Sequence, residues 1–236
     1  MAVLILVLAP MRSELRPVVR ALSARRDRSA DTLLYRARRH GRDVVAAPLG
    51  VGPAAARRTT SALLDRLGPG VEHVVVSGIA GGLDPAATVG TVLVPEVVID
   101  LETGRELRPA PLGPLRPSGT VATAAELILD PRRLEGLLAR GVTALDMETA
   151  GVGAVCDERG VPWTAFRAVS DRPDDGLVDG SVFSLLNEDG TTDVGAGIRY
   201  ALFHPGRLPG LVRLARDSAR GCGLAARAAV EALPGA

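Results

Sequence analysis

Residues 144–175, ALDMETAGVGAVCDERGVPWTAFRAVSDRPDD, constrain the chain more than any other stretch, because a helix must hand over there directly to a buried strand. Val152 and Val155 recur at helical spacing after Glu148, small residues fill the turns between them, and Gly160 supplies a left-handed stop. Pro162 cannot continue the helix. The run from Trp163 to Val169 is apolar with one arginine, and short enough for a buried strand of a mostly parallel sheet. Glu148 then opens the helix and Asp171 ends the strand. Open α/β sheets bind ligands outside the carboxyl ends of their strands, which makes both carboxylates site candidates. A turn aspartate ahead of Pro173 and a glutamate at the positive end of a helix account for them equally well on this stretch alone.

The remainder reads as alternating strands and helices. Residues 2–8 make a buried first strand, since VLILVLAP is too short for a membrane span and lacks the basic flank of a secretion signal. The following helix buries Leu15, Val18, Val19 and Leu22, with Pro17 expected in its first turn. Glu14 is thus a further carboxylate at a strand's carboxyl end, or simply a first-turn acid complementing the helix dipole. Residues 25–42 form a solvated, arginine-rich edge hairpin, and residues 44–49 a strand. GVGPAA at 50–55 then turns into a helix over 54–67. This glycine motif imitates a dinucleotide fingerprint, but it is not on the first strand and Asp65 lies inside a helix, so a dehydrogenase has little support.

Residues 71–77 are the most strand-like run. They lead into Gly78-Ile79-Ala80-Gly81-Gly82, a loop whose free N–H groups would suit an anion or sugar hydroxyls. Further expectations are a strand over 89–98 followed by surface acids Asp100 and Glu102, an irregular excursion or lid over 101–119, and two short helices around Asp130-Pro131. An acidic, turn-rich segment follows over 173–195, and then an outer amphipathic helix carrying Leu211, Leu214 and Ala215. No repeat or linker divides the 236 residues, so they are read as a single domain over 1–236.

Composition excludes several chemistries. The chain contains no lysine, which removes Schiff-base catalysis and a Walker-type lysine. A net charge of +1 gives no field for nucleic acid or for stable membrane insertion. Cys156 and Cys222 make neither a disulfide framework nor a metal motif, which fits a reducing cytoplasm, and His40, His73 and His204 are scattered.

Three segments together resemble the nucleoside phosphorylase and nucleosidase superfamily. VVVSGIAGGLDPAATVGTVLVP is similar to its glycine loop, ALDMETAGV to its sugar-binding Met-Glu segment, and FRAVSDRPDD to its Ser-Asp catalytic turn. The opening LAPMRSEL is similar to that of methylthioadenosine/S-adenosylhomocysteine nucleosidases, and HPGRLPGLVRLARDSAR looks most like the hopanoid-associated phosphorylases. The resemblance implies a three-layer sandwich with a central mixed, mostly parallel sheet. It also implies cleavage of the N-glycosidic bond of an adenosine-like nucleoside, 5′-substituted, with release of the free base.

In that reaction the sugar becomes oxocarbenium-like, so the leaving base needs a proton and the sugar hydroxyls must be held. On the resemblance, Asp171 would handle the proton at purine nitrogen seven, kept protonated by burial or a like-charged neighbour, with Asp174 and Asp175 close in sequence. Ser170 would steady Asp171, Glu148 would take the ribose 2′- and 3′-hydroxyls, Met147 would pack under the sugar, and Glu14 would orient the attacking water. Ile79, Ala80 and Gly81 would border the substrate. Ile79 stands where the nucleosidases carry serine, and Arg12 and Ser13 replace acids beside Glu14. Glu126 falls near their base-stacking phenylalanine, for which Phe183 is a weak substitute.

Hydrolysis is preferred because no arginine lies near the glycine loop in sequence. Phosphorolysis, with inorganic phosphate as co-substrate, is the alternative, and would draw on Arg12, Arg36 or Arg38. A non-catalytic nucleoside-binding protein is the rival of another class. No cofactor and no metal are implied. A purine nucleoside is the expected partner, and a homo-oligomer, dimer favoured, the expected assembly.

Overall fold

The first strand, β1 (Leu4–Ala9), is buried along its whole length, and its two-residue period sorts the molecule into layers. Leu4, Leu6 and Leu8 pack with residues of the helices α2 (Pro53–Leu67) and α4 (Thr149–Arg159). Ile5, Val7 and Ala9 pack with residues of α1 (Arg12–Ala21) and α5 (Leu208–Glu231) on the opposite face. The computed structural model describes residues 4–172 and 208–234. Within them a central mixed sheet is flanked by helices on both faces, as expected.

The sheet runs β2 (Arg25–Arg26), β3 (Tyr35–Arg39), β4 (Arg42–Pro48), β1, β5 (Val71–Gly82), β10 (Val142–Asp146), β9 (Thr120–Thr123), β7 (Val97–Asp100), β8 (Glu106–Leu107). A further strand, β11 (Trp163–Asp171), lies parallel to β5 and also pairs with the short β6 (Val92–Leu93). The ladders of β1 with β4 and β5, and of β9 with β7 and β10, are parallel, while the hairpins at the two edges are antiparallel. A small third cluster joins Leu134 and Leu137 of α3 (Pro131–Ala139) to Ala122 and Val142.

Several local expectations change. The glycine cluster 78–82 is no loop: β5 runs through Gly82, because β11 and then β10 pair along it. The strand expected over 89–98 breaks into β6 and β7 around Pro95, which has no N–H for a ladder. Asp100 ends β7 and accepts from the backbone N–H of Glu102 at 3.0 Å, a local turn. Only one helix forms near Asp130-Pro131, with Asp130 as its cap, and residues 124–130 stay extended or bent. Residues 101–119 line no part of the large cavity described below, so they are not its lid; Ala110 N–H instead donates to the Trp163 carbonyl at 2.7 Å. Pro17 sits well inside α1 and leaves the Ser13 carbonyl without its helical donor. Among the described residues no helix is long and apolar enough to cross a membrane.

Candidate active site

The carboxyl ends of β1, β5, β10 and β11 converge on one cavity of about 740 Å³. The exits of β1, β10 and β11 each deliver a carboxylate there. Glu14 follows β1 in the first turn of α1 and accepts from the Ile79 N–H at 2.9 Å. Glu148 follows β10 as the residue before α4 and accepts from the Gly52 N–H at 3.1 Å. Gly52 sits at φ +91°, in the region that favours glycine. Asp171 ends β11 and is half-buried. The register skips Ser170 between the Val169–Ala80 and Asp171–Gly81 pairs, a bulge of the sort that re-aims side chains beside sites. Ser170 Oγ donates to Asp171 Oδ1 at 2.5 Å.

Beneath these groups lies Arg167, fully buried between the apolar Phe166 and Ala168 of β11. A buried guanidinium requires partners. Arg167 Nη2 contacts Asp146 Oδ2 at 2.7 Å and Glu148 Oε2 at 3.4 Å, while Nε donates to Thr149 Oγ1 at 2.9 Å. Asp146 is itself saturated, accepting from Thr123 Oγ1 at 2.6 Å and from the Thr149 N–H at 3.2 Å and its hydroxyl. Asp146 thereby caps the start of α4, and the Glu148 side chain is left for the cavity. Gly78 makes the arrangement sterically feasible: a Cβ there would overlap Arg167 Nη1 and Glu14 Oε2.

One guanidinium thus faces three carboxyls. Burial, only partly opposed by Arg167, raises Glu14 to about 7. Glu148 is raised well above the usual carboxylate range by the same burial, and Arg167 is closer to Asp146 than to it. The floor therefore retains protons near neutrality and carries negative potential when it loses them.

The structure brings Glu14, Glu148, Met147, Ser170, Asp171, Ile79, Ala80 and Gly81 to this single cavity. Phe183, Asp174 and Asp175 lie outside the described residues. The glycine segment offers fewer free N–H groups than a loop would, since the Ile79 N–H is taken by Glu14. Glu126 does line the cavity, but it is mostly exposed and pairs with Arg133 at 3.0 Å; the aliphatic Leu127, Ile128 and Leu129 of the same segment line it too. Arg12, Arg36 and Arg38, the arginines weighed for phosphorolysis, line no part of the cavity; Arg16 and Arg20, which were not, do. Sequence reasoning overlooked Arg167, Asp146 and Gly52. The arginine inside WTAFRAV was a usable signal, because a charge in a buried strand implies nearby acids. The GVGPAA turn was set aside as a false nucleotide motif, yet it serves the site through one N–H.

Known proteins share this architecture. A Helicobacter pylori 5′-methylthioadenosine/S-adenosylhomocysteine nucleosidase mutant, solved with 5′-methylthioadenosine in its active site, superposes with a TM-score of 0.69 over 96% of both chains at 17% identity. Futalosine hydrolase of the same organism gives 0.70 over 96% of this chain and 95% of that one, also at 17% identity. In sequence, the 5′-methylthioadenosine/S-adenosylhomocysteine nucleosidase of Tolumonas auensis is 28% identical over 168 residues, 58% of this chain and 72% of that protein. The Bacillus subtilis enzyme of the same name is 29% identical over 161 residues, 56% of this chain and 69% of that protein. The pattern described as the phosphorylase superfamily matches residues 4–118 and 112–193, most of the chain, and the protein belongs to that superfamily.

Proposed function

We propose that the protein hydrolyses the N-glycosidic bond of an adenosine-like purine nucleoside and releases the free base. The observation that carries this reading is the convergence of Glu14, Glu148 and Asp171, from three different chain exits, on one cavity. The relatives named as nucleosidases support it. Glu148 accepts the ribose 2′- and 3′-hydroxyls, held in place by Gly52 and Arg167. Asp171, steadied by Ser170, supplies the proton to the leaving purine as the bond from C1′ to the base breaks. Glu14 orients a water whose oxygen bonds to C1′, and the proton that water gives up passes to the carboxylate. Each proton is thus accounted for by the chain and the water, with no cofactor in the step.

Water is favoured over phosphate by electrostatics. The guanidinium at the cavity floor is already engaged by Asp146 and Glu148, so it is not free to hold a phosphate dianion beside C1′. Adenine release from methylthioadenosine should therefore proceed in phosphate-free buffer and yield free sugar. Strict dependence on phosphate, with a sugar 1-phosphate as product, would replace hydrolysis by phosphorolysis; no adenine in either buffer would remove the glycosidase reading. A homo-oligomer, dimer favoured, and a cytoplasmic setting belong to the same proposal on the strength of the resemblance, and sedimentation velocity reads the first.

A further inference from the structure

A second cavity, of about 290 Å³, adjoins the first between α1 and the edge strands. Four arginines line it: Arg12, Arg16 and Arg20, spaced by four along one face of α1, and Arg26 from β2. Among the described residues no acid lines it, and Leu15 and Leu33 do. Elsewhere arginines find carboxylates, as Arg57 does with Glu158 at 2.9 Å and Arg159 with Asp65 at 2.5 Å. The guanidinium groups of these four make no ion pair or hydrogen bond with any described residue, and Asp27, beside Arg26 in sequence, is engaged by Arg36 at 2.6 Å. Like charges gathered around one concavity repel each other, and an anion seated among them relieves the repulsion. Guanidinium groups match phosphate oxygens in geometry as well as charge.

Arg16 and Arg20 line both cavities and form the boundary between them, with the arginine cleft on the far side. Resting on the glycosidase reading, Glu148 holds the ribose hydroxyls and Asp171 the base, which directs C5′ toward the remaining wall. Among the described residues that wall is α1 with the first half of α5, including Leu211 and Leu214, and Arg16 and Arg20 border it. We propose that the arginine cleft is a subsite for a phosphate-bearing 5′ substituent of the nucleoside substrate.

Arg12 and Arg26 line the cleft but not the large cavity, so the double variant R12A/R26A addresses the cleft alone. Pyrophosphate binding to the full chain is measured by titration calorimetry. Adenine release from adenosine 5′-diphosphate and from methylthioadenosine is followed in parallel. R12A/R26A should weaken pyrophosphate binding and raise the KM for the diphosphate by about tenfold or more. It should leave kcat and all methylthioadenosine kinetics unchanged, which also shows the variant is folded. Failure of the wild type to bind pyrophosphate, equal binding by the variant, or cleavage of methylthioadenosine but not the diphosphate each overturns the subsite. If pyrophosphate binds through Arg12 and Arg26 but no nucleoside is cleaved, the glycosidase reading falls, and the substrate role of the cleft falls with it.

Discussion

Asp171 and Arg167 lie on one strand and stand in opposite electrostatic situations. Arg167 is sealed beneath the cavity and matched to Asp146 and Glu148, whereas Asp171 is half-buried at the strand's end with Ser170 donating to it. A group that must pass a proton to a leaving base needs the second position, since a saturated buried pair has no proton to spare. Asp171→Asn keeps the shape and the Ser170 contact but removes the acid. Turnover of methylthioadenosine should fall by roughly 10²- to 10⁴-fold, the usual worth of general acid catalysis, with nucleoside affinity nearly unchanged. A variant with near wild-type kcat would exclude Asp171 from the proton transfer.

At the scale of elements, the site depends on how closely α1 approaches β5. Glu14 on α1 reaches the Ile79 N–H of β5, and Arg167 of β11 reaches across the same strand to the Ile79 carbonyl at 3.4 Å. Gly78 is the point at which both pass the backbone, and the added methyl of Gly78→Ala would occupy their space. Overpacking of this kind costs roughly 1–3 kcal/mol, so the variant should fold with a lowered Tm. Because the displaced groups are Glu14 and Arg167 rather than inert core, its kcat should fall as well. A Gly78→Ala protein of wild-type Tm and kcat would show that α1 and β11 tolerate a wider separation. Sequence patterning located the strand here but not its length, because the pairing that extends β5 through Gly82 comes from β10 and β11, distant in the chain.

For the whole molecule, a buried carboxyl links stability to pH. Glu14 titrates near 4.5 when unfolded and at about 7 when folded, so between these values the native state holds a proton that the unfolded chain has released. Stability from this group is complete below pH 4.5 and falls as pH rises to about 7, by about 3 kcal/mol from the size of the shift. Glu148 acts in the same direction. His73 acts oppositely: burial lowers it to about 4, so stability falls as pH drops below its unfolded value of 6.5. The clean measurement is a difference between proteins. Thermal unfolding at pH 5 and at pH 7.5 should show a smaller decline in Glu14→Gln than in wild type, His73 being common to both; an equal decline would show that Glu14 ionises freely in the fold. Most of the strands, helices and site carboxylates were legible in the chain, because strand and helix periods and the Pro and Gly stops are local properties of neighbouring residues. Tertiary structure alone decided that Gly52, from a turn set aside in the sequence, serves Glu148, and that Arg167 lies beneath the site with Asp146. It also decided that α1 divides its residues between two cavities. Burial and charge pairing depend on residues tens of positions apart, and no local pattern encodes those distances.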